Sequence, residues 1–239
     1  MALSRRTSLT LSLAVLSGTL MVGPALSAQA ASKSPTTTSL LTAAKSALGK
    51  QTGVHIVVTT IDNKVKSSVV ADIGTTTGTE TYASGTETFT ITVTPKDAYL
   101  YGSEKGLTKV MGLTAAEQKA VGSDAIIMAK GSSPYTTFKA NLTSSAFAQL
   151  LPAAKGTKLL ATRDKATNGY QIKWTTAKTS TAPKEVSVMT ISSGSTTLPL
   201  KEAVVTTEGS SHTAFTKWGE TVSVKIPSKT IPYATVFPS

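Results

Sequence analysis

Residues 88–94 read TFTITVT, and this stretch decides the fold class. Phe89, Ile91 and Val93 alternate with threonines, and the side chains of a strand point alternately to opposite faces of a sheet. The stretch therefore predicts a strand with one apolar and one polar face. Because threonine is β-branched and suits pleated strands, the many threonines of the chain indicate a protein rich in β-structure.

The same period of two recurs on both sides of this strand. On its N-terminal side, strands are predicted from Val54 and over residues 65–73, with Asn63 in the turn between them. A Gly-Thr-Glu-Thr sequence that occurs twice is interpreted as two strand segments around a turn at Ser84-Gly85. Asn168-Gly169 indicates a hairpin turn. Further strands are predicted at residues 98–101, 124–130, 158–164, 170–176, 185–192, 198–207, 213–218 and 221–226.

Helical patterns lie before the first strand and in the middle of the chain. Residues 40–48 carry one apolar stripe, and Gly49 follows as a stop signal. The middle of the chain contains four predicted helical segments, at residues 103–112, 114–121, 134–140 and 143–151. In the second of these, Thr114 and Glu117 have the spacing of a capping box. Residues 228–239 are interpreted as an extended C-terminal tail that packs against the domain.

This order of elements, a helix, strands, a helical insert and strands again, predicts the α+β class. We expect one large, mainly antiparallel sheet that curls into a half-barrel and is covered by the short helices. The chain is long enough for a single domain with a sizeable core. We place that domain at residues 38–227.

Residues 1–30 have the pattern of a secretory signal peptide. Arg5 and Arg6 precede an apolar run that Ser and Thr interrupt, and Ala28-Gln29-Ala30 offers small residues at a cleavage site. The run is too short for a membrane-spanning helix. We therefore expect a secreted or extracytoplasmic protein, exported by the general secretory route, with a flexible lead-in at residues 31–37.

Basic residues outnumber acidic ones along the chain. The formal charge is +11, and it falls by two to +9 after residue 30 because Arg5 and Arg6 are the only ionisable residues before that point. Nucleic-acid binders cluster arginine and lysine among aromatic residues, whereas here the lysines are dispersed and Arg163 is the only later arginine. We expect no nucleic-acid partner. A basic exterior fits an anionic membrane or cell-wall surface, and it also serves solubility.

The side chains that carry most hydrolytic chemistry are scarce. Cysteine is absent, and His55 and His212 are the only histidines, which we interpret as surface or strand-end residues. This composition argues against cysteine-histidine catalysis and against zinc sites built from Cys or His clusters. No Gly-x-Ser-x-Gly motif precedes a helix. The sequence therefore predicts a protein that is not an enzyme and that holds no cofactor and no metal. Two acidic pairs that could serve glycoside cleavage are interpreted as solvated residues of polar strand faces and turns: Glu80 with Glu87, and Asp62 with Asp72.

Several segments resemble the secreted actinobacterial LolA-like lipoproteins of the LppX/LprG type. The resemblance covers most of residues 38–227 in the order of elements. It is carried by the leading helix, the strand start Val54-His55-Ile56, the AYLYG of residues 98–102, the helical insert and the WGETVSVKIP of residues 218–227. The lipid-modified cysteine of that family is missing here, so a soluble or wall-retained protein is implied rather than a tethered one.

The resemblance implies a half-barrel sheet with an apolar cavity under the helices for the acyl chains of lipids or glycolipids. Such ligands usually occupy apolar cavities of a few hundred Å³ or more. The same side chains also fit an ordinary filled core. Nine apolar residues on strand faces and helices are the expected lining: Phe89, Ile91, Val93, Phe138, Phe147, Leu150, Tyr170, Ile172 and Trp174.

Two classes of function follow from the sequence. The first is a secreted lipid-binding or lipid-transfer protein. The second is a non-enzymatic cell-envelope interaction or wall-associated protein with a packed core, which the positive charge and the threonine-rich exterior favour. A hydrolase would lose its activity on His55→Ala or His212→Ala, and we expect neither change to matter.

Overall fold

The computed structural model describes residues 35–152, 159–177, 179, 183–193 and 196–238. Residues 1–30, the predicted signal peptide, lie outside the described residues. The described strands are β1 (Gly53–Asp62), β2 (Val65–Gly74), β3 (Gly78–Ser84), β4 (Glu87–Val93), β5 (Asp97–Gly102), β6 (Ala125–Ala129), β7 (Leu160–Asp164), β8 (Gly169–Thr176), β9 (Glu185–Ser192), β10 (Pro199–Val205), β11 (Gly209–Thr216) and β12 (Thr230–Pro232). The described helices are α1 (Thr37–Leu48), α2 (Glu104–Met111), α3 (Ala115–Val121), α4 (Ser133–Leu142) and α5 (Tyr233–Val236), with a 3₁₀ helix at Ser144–Leu150.

All of these strands belong to one sheet, in the order β12-β6-β5-β4-β3-β2-β1-β11-β10-β9-β8-β7. Neighbouring strands are antiparallel, except that β12 runs parallel to β6. The predicted fold class, α+β with one large, mainly antiparallel sheet covered by short helices, is confirmed.

Side-chain caps begin the helices at positions where the sequence places Ser or Thr. The Thr36 hydroxyl accepts a hydrogen bond from the backbone N–H of Ser39 at the start of α1. The predicted capping box of Thr114 and Glu117 is present at the start of α3. These contacts satisfy backbone groups that the first turn of a helix leaves unpaired.

The hairpins follow from the turn residues. Asn63 and Lys64 connect β1 to β2 with φ values of 46° and 69°, as a two-residue hairpin turn requires. The predicted hairpin of β7 and β8 is also present, but its turn spans residues 165–168, and Gly169 already pairs with Asp164. Glycine at position 169 instead lets the backbone of β8 lie close to that of β9, because a Cβ there would lie 2.3 Å from the carbonyl oxygen of Ile191.

The helices pack on one face of the sheet, which we call the inner face, and the opposite face is the open face. Three hydrophobic clusters fill the inner side. The first joins β3–β6 to α2, α3, α4 and α5, around Tyr82 and Leu100. The second joins β1, β2 and β11 to the 3₁₀ helix, around Ile56 and Phe147. The third joins β8 and β9 to α1, around Ile172.

Residues 221–226 do not form a strand, contrary to the prediction. The chain turns away from β11 at Lys217 and Gly219, whose φ values are 51° and 82°. It then continues as an extended connection to β12, which we call the strap (residues 217–229). Val222 and Val224 are half-buried while their neighbours are exposed. Because only one side of this segment packs against the protein, its apolar and polar residues alternate as they would in a strand. The extended segment thus begins earlier than the predicted residue 228, and the chain after it forms β12 and α5.

Candidate functional site

Half-buried residues of mixed polarity cross the inner face where the three clusters meet. Glu202 pairs with Met189 of the third cluster on one side and with Thr213 on the other. Val58 in turn pairs with both Thr213 and Val69. Two such rows form what we call the inner band: Glu202, Thr213, Val58 and Val69, and next to them Ser187, Val204, Ser211, Thr60 and Ser67.

The inner band combines an apolar floor with hydroxyl groups. Val58 packs against the second cluster and Val69 against the first, so the band is continuous with both. The Thr60 hydroxyl donates to the hydroxyl of Ser211 at 3.1 Å. Apart from Ser187 and Ser67, which are buried, the members of the band are half-buried. The band therefore presents an apolar surface with polar atoms along its length.

Glu202 is the ionisable member of the band. Burial, and after it the negative charge of Glu185, raises the pKa of Glu202 to about 7. The Ser187 hydroxyl donates to Glu185 Oε1 at 2.8 Å. A carboxyl group with such a pKa is partly protonated near neutral pH, so it can both donate and accept a hydrogen bond.

A second carboxyl group, that of Glu80, also faces inward. The register places Glu80 between Ala71 of β2 and Ile91 of β4, both of which are buried. The interpretation of Glu80 as a residue of a polar strand face is therefore wrong, because it shares its face with Tyr82 rather than with the threonines. Burial raises its pKa above the ordinary value.

All nine residues predicted to line a cavity lie on the inner side, but in three separate groups. Phe89, Ile91 and Val93 are buried in the first cluster, and Phe138 packs against it. The second cluster holds Phe147 and Leu150. Ile172 is buried in the third cluster, against which Tyr170 and Trp174 pack. Strand pairing places Ile172 beside Met189 and Trp174 beside Ser187, so these two residues border the inner band.

The band itself was not predicted as a site. Its members come from β1, β2, β9, β10 and β11, and only the pairing of strands far apart in sequence brings them together. The sequence held one signal, since Glu202 and Val204 occupy alternate positions and thus share a face.

A pocket of about 540 Å³ lies where the β1–β2 and β3–β4 turns meet α2. We call it the lysine pocket, because Lys66, Lys105 and Lys109 line it together with Val65 and Glu87. The Lys109 ammonium donates to Glu87 Oε2 at 2.6 Å and to the Tyr82 hydroxyl at 2.7 Å. Lys66 and Lys105 form no ion pair within the described ranges, so the pocket favours an anionic group.

The open face carries a trough of about 510 Å³ across β1, β11, β10, β9 and β8. Val57, Val188, Ala203 and Ala214 are among its lining residues. None of the nine predicted lining residues belongs to it. The trough shows that apolar surface lies on both faces of this sheet.

The two histidines differ from each other in surroundings. His212 lies within β11, and its side chain is exposed, as the interpretation of a surface residue requires. His55 is half-buried on β1, and its Nδ1 lies 2.6 Å from Asp72 Oδ1. Asp62 is exposed at the far end of β1 and does not lie beside Asp72, which fits the interpretation of Asp62 as a solvated turn residue. Glu87 pairs with Lys109 and is not joined to Glu80.

Within the part of the chain that the structure describes, no helix is both long and apolar enough to cross a membrane. No family model and no curated protein matches the sequence.

Solved structures resemble the fold at low sequence identity. The structure of LprF from Mycobacterium bovis matches with a TM-score of 0.46 and 13% identity, over 79% of this chain and 95% of that one. The lipoprotein LppX of Mycobacterium tuberculosis matches with a TM-score of 0.45 and 15% identity, over 80% of this chain and 100% of that one. An uncharacterised conserved protein of Thermus thermophilus matches with a TM-score of 0.41 and 10% identity, over 81% of this chain and 96% of that one.

Proposed function

We propose that this protein is a secreted lipid-binding or lipid-transfer protein that holds the acyl chain of a lipid or glycolipid between the sheet and its helices. The inner band is the observation that carries the proposal. Ligand sites are mostly apolar clefts with a few convergent polar groups, and the band has this composition. The nine residues predicted from the sequence are the proposed walls, with Ile172 and Trp174 at the edge of the band.

The chemistry of the band favours an amphipathic ligand. Val58, Val69 and Val204 offer apolar surface, while Thr60, Ser211 and Glu202 offer hydrogen-bonding groups beside it. An acyl chain gains free energy by leaving water for such a surface. The polar part of the same lipid would meet the hydroxyl and carboxyl groups rather than a wholly apolar wall.

The proposed location is outside the cytoplasm, and it rests on the sequence of residues 1–30. The absence of cysteine and the presence of only two histidines support a carrier rather than an enzyme. Mass spectrometry of organic extracts from the purified protein tests the carrier directly, since acyl lipids should co-purify with it. Purified protein that yields no acyl lipid and binds no acyl probe contradicts the proposal.

The position of the ligand is tested by Val58→Trp, with Val70→Trp as the matched control. Val58 is half-buried in the inner band, whereas Val70 lies on the open face of the neighbouring strand and is 39% exposed. An added indole on the band should occupy the space of the acyl chain and weaken binding of a fluorescent fatty-acid probe by about tenfold or more. Val70→Trp should bind like the wild type. Equal probe affinity of both variants excludes the inner band as the site.

A second candidate function is attachment to an anionic membrane or cell-wall surface, and the lysine pocket is the observation that favours it. The double variant Lys66→Gln and Lys105→Gln should lower retention on anionic vesicles at low salt, while Lys173→Gln, an exposed lysine on β8, should not. Electrostatic attachment must also weaken as salt rises, because counter-ions screen exposed charges. Retention that is independent of salt contradicts this second function.

A further inference from the structure

We infer that His55, Asp72 and Glu220 form a binding site for a divalent metal ion, with Zn²⁺ as the ion that their chemistry fits best. One potential ligand atom from each side chain lies within 4.8 Å of the other two. All three residues are half-buried. This site lies on the open face and is independent of the proposed lipid function.

Three different segments bring these ligands together. His55 of β1 and Asp72 of β2 are cross-strand partners on the open face. Glu220 belongs to the strap that follows β11. A metal ion bound here would therefore connect the strap to two central strands of the sheet.

The backbone around Glu220 is fixed before any ion binds. The N–H of Gly219 donates to the carbonyl oxygen of Gly53 at 2.8 Å, and the Thr52 hydroxyl donates to the carbonyl oxygen of Gly219 at 2.7 Å. Gly53 allows this approach, because a Cβ there would lie 2.4 Å from the carbonyl oxygen of Glu220. On the other side of Glu220, the Thr77 hydroxyl donates to the carbonyl oxygen of Val222 at 3.0 Å. Ligands held in place in this way lose little freedom when an ion arrives.

The charges of the site suit a divalent cation. A neutral imidazole and two carboxylates carry a charge of about −2, which one divalent ion neutralises. Lys217 is the basic residue beside them, with Nζ 4.0 Å from Glu220 Oε2, but its side chain is 64% exposed and free to turn away. Imidazole nitrogen together with carboxylate oxygen is a donor set typical of zinc, and three protein ligands leave a position for water.

Without a metal, a hydrogen bond of 2.6 Å joins His55 Nδ1 to Asp72 Oδ1. A bound ion would replace this hydrogen bond, because the imidazole nitrogen and the carboxylate oxygen would both donate electron pairs to the metal. The binding free energy should add to the stability of the strap, because the ion contacts it only in the folded state. The strap leads to β12 and α5, and Val236 of α5 is buried in the first cluster. The site would thus hold the C-terminal segment against the sheet.

The test is titration of Zn²⁺ into the full chain produced without a polyhistidine tag, followed by calorimetry. We expect one ion to bind per chain and hydrogen exchange of residues 217–229 to slow when it is bound. His55→Ala should weaken binding by at least about tenfold, in the range seen when groups around metal ions are lost. Glu220→Gln should also weaken Zn²⁺ binding by at least about tenfold. Because Glu220 lies in the strap and not in β1, this variant tests the site even if His55→Ala disturbs the strand.

His212→Ala is the matched control, since it removes the other histidine, which is exposed on β11. It should leave both the stoichiometry and the affinity for Zn²⁺ unchanged. The proposal is overturned if the wild type binds no Zn²⁺, if His212→Ala weakens binding as much as His55→Ala, or if Glu220→Gln has no effect. Binding of a fatty-acid probe is measured separately, so the failure of one site does not imply failure of the other.

Discussion

Met189 and Glu202 lie side by side across β9 and β10 on the inner face, so that a buried thioether borders a carboxyl group. Burial and the nearby charge of Glu185 raise the pKa of Glu202 to about 7 from an ordinary value of 4.5. The ionised form is therefore less favourable in the folded protein than in the unfolded chain. This relationship makes the inner band sensitive to pH.

Glu202→Gln should stabilise the protein at high pH but not at low pH. Because the folded pKa is raised, the native state keeps its proton while the unfolded state loses it, and stability falls as pH rises from about 4.5 to about 7. The variant removes this loss, which we expect to be roughly 2 kcal/mol at pH 8. Urea denaturation at pH 4.5 and pH 8 measures the difference.

Glu208→Gln is the control for this experiment, since Glu208 is an exposed glutamate in the turn after β10. It should change stability by little at either pH. A Glu202→Gln variant whose stability relative to the wild type is the same at both pH values contradicts the burial of this carboxyl group.

Gly106→Ala tests how closely α2 approaches the sheet. A Cβ at Gly106 would lie 2.0 Å from the carbonyl oxygen of Thr88 on β4, so the helix would have to move away. Overpacking of this kind should cost roughly 2–3 kcal/mol of unfolding free energy, measured by denaturant titration. Gly49→Ala is the comparison, because its nearest neighbours would be at 3.7 Å and its φ of −62° is helical. That change should be neutral or stabilising by less than about 1 kcal/mol.

Ile91→Trp separates a filled core from a cavity in the first cluster. Ile91 is 6% exposed and pairs with Leu100, which is fully buried. We expect the larger side chain to overpack the cluster and to lower the unfolding free energy by about 1–3 kcal/mol. Thermal melting and fatty-acid binding are measured together. A variant that melts like the wild type but binds no probe would place the acyl chain within this cluster rather than along the band.

Local patterns in the sequence predicted most elements, because their causes are local. The two-residue turn at Asn63 and Lys64 and the capping box at Thr114 each depend on residues close in the chain. The alternation of Phe89, Ile91 and Val93 with threonines correctly predicted which face of β4 is buried. Such patterns pair strands that a hairpin turn connects, but they do not specify which strands far apart in the sequence lie side by side.

The inner band depends on those long-range pairings. Val58 meets Thr213 only because β1 pairs with β11, more than 140 residues later in the chain.

From the sequence, Glu80 was assigned to the wrong face of its strand. Charged side chains are usually exposed, but Glu80 lies two residues before Tyr82 and therefore points to the same, inner face. Residues 221–226 of the strap were predicted as a strand because Val222 and Val224 alternate with polar residues. Such alternation shows that one side of a segment is buried, but it does not show that the segment has a hydrogen-bonded partner strand.

Leu41→Ala tests whether α1 can be displaced from the sheet. Leu41 is 6% exposed and packs with Leu40 and Ala44 against β8 and β9 in the third cluster. Truncation of a buried leucine should cost roughly 2–4 kcal/mol. If the acyl chain lies along the inner band beside this cluster, loosening α1 should also speed the uptake of a fatty-acid probe in stopped-flow measurements.

Ser46→Ala, an exposed position on the same helix, is the control for Leu41→Ala and should change neither quantity. Hydrogen exchange over residues 37–48 should increase in Leu41→Ala only, since local opening needs the loss of buried contacts. Loss of stability with unchanged uptake would mean that α1 is a fixed part of the core and that the ligand reaches the band from another side.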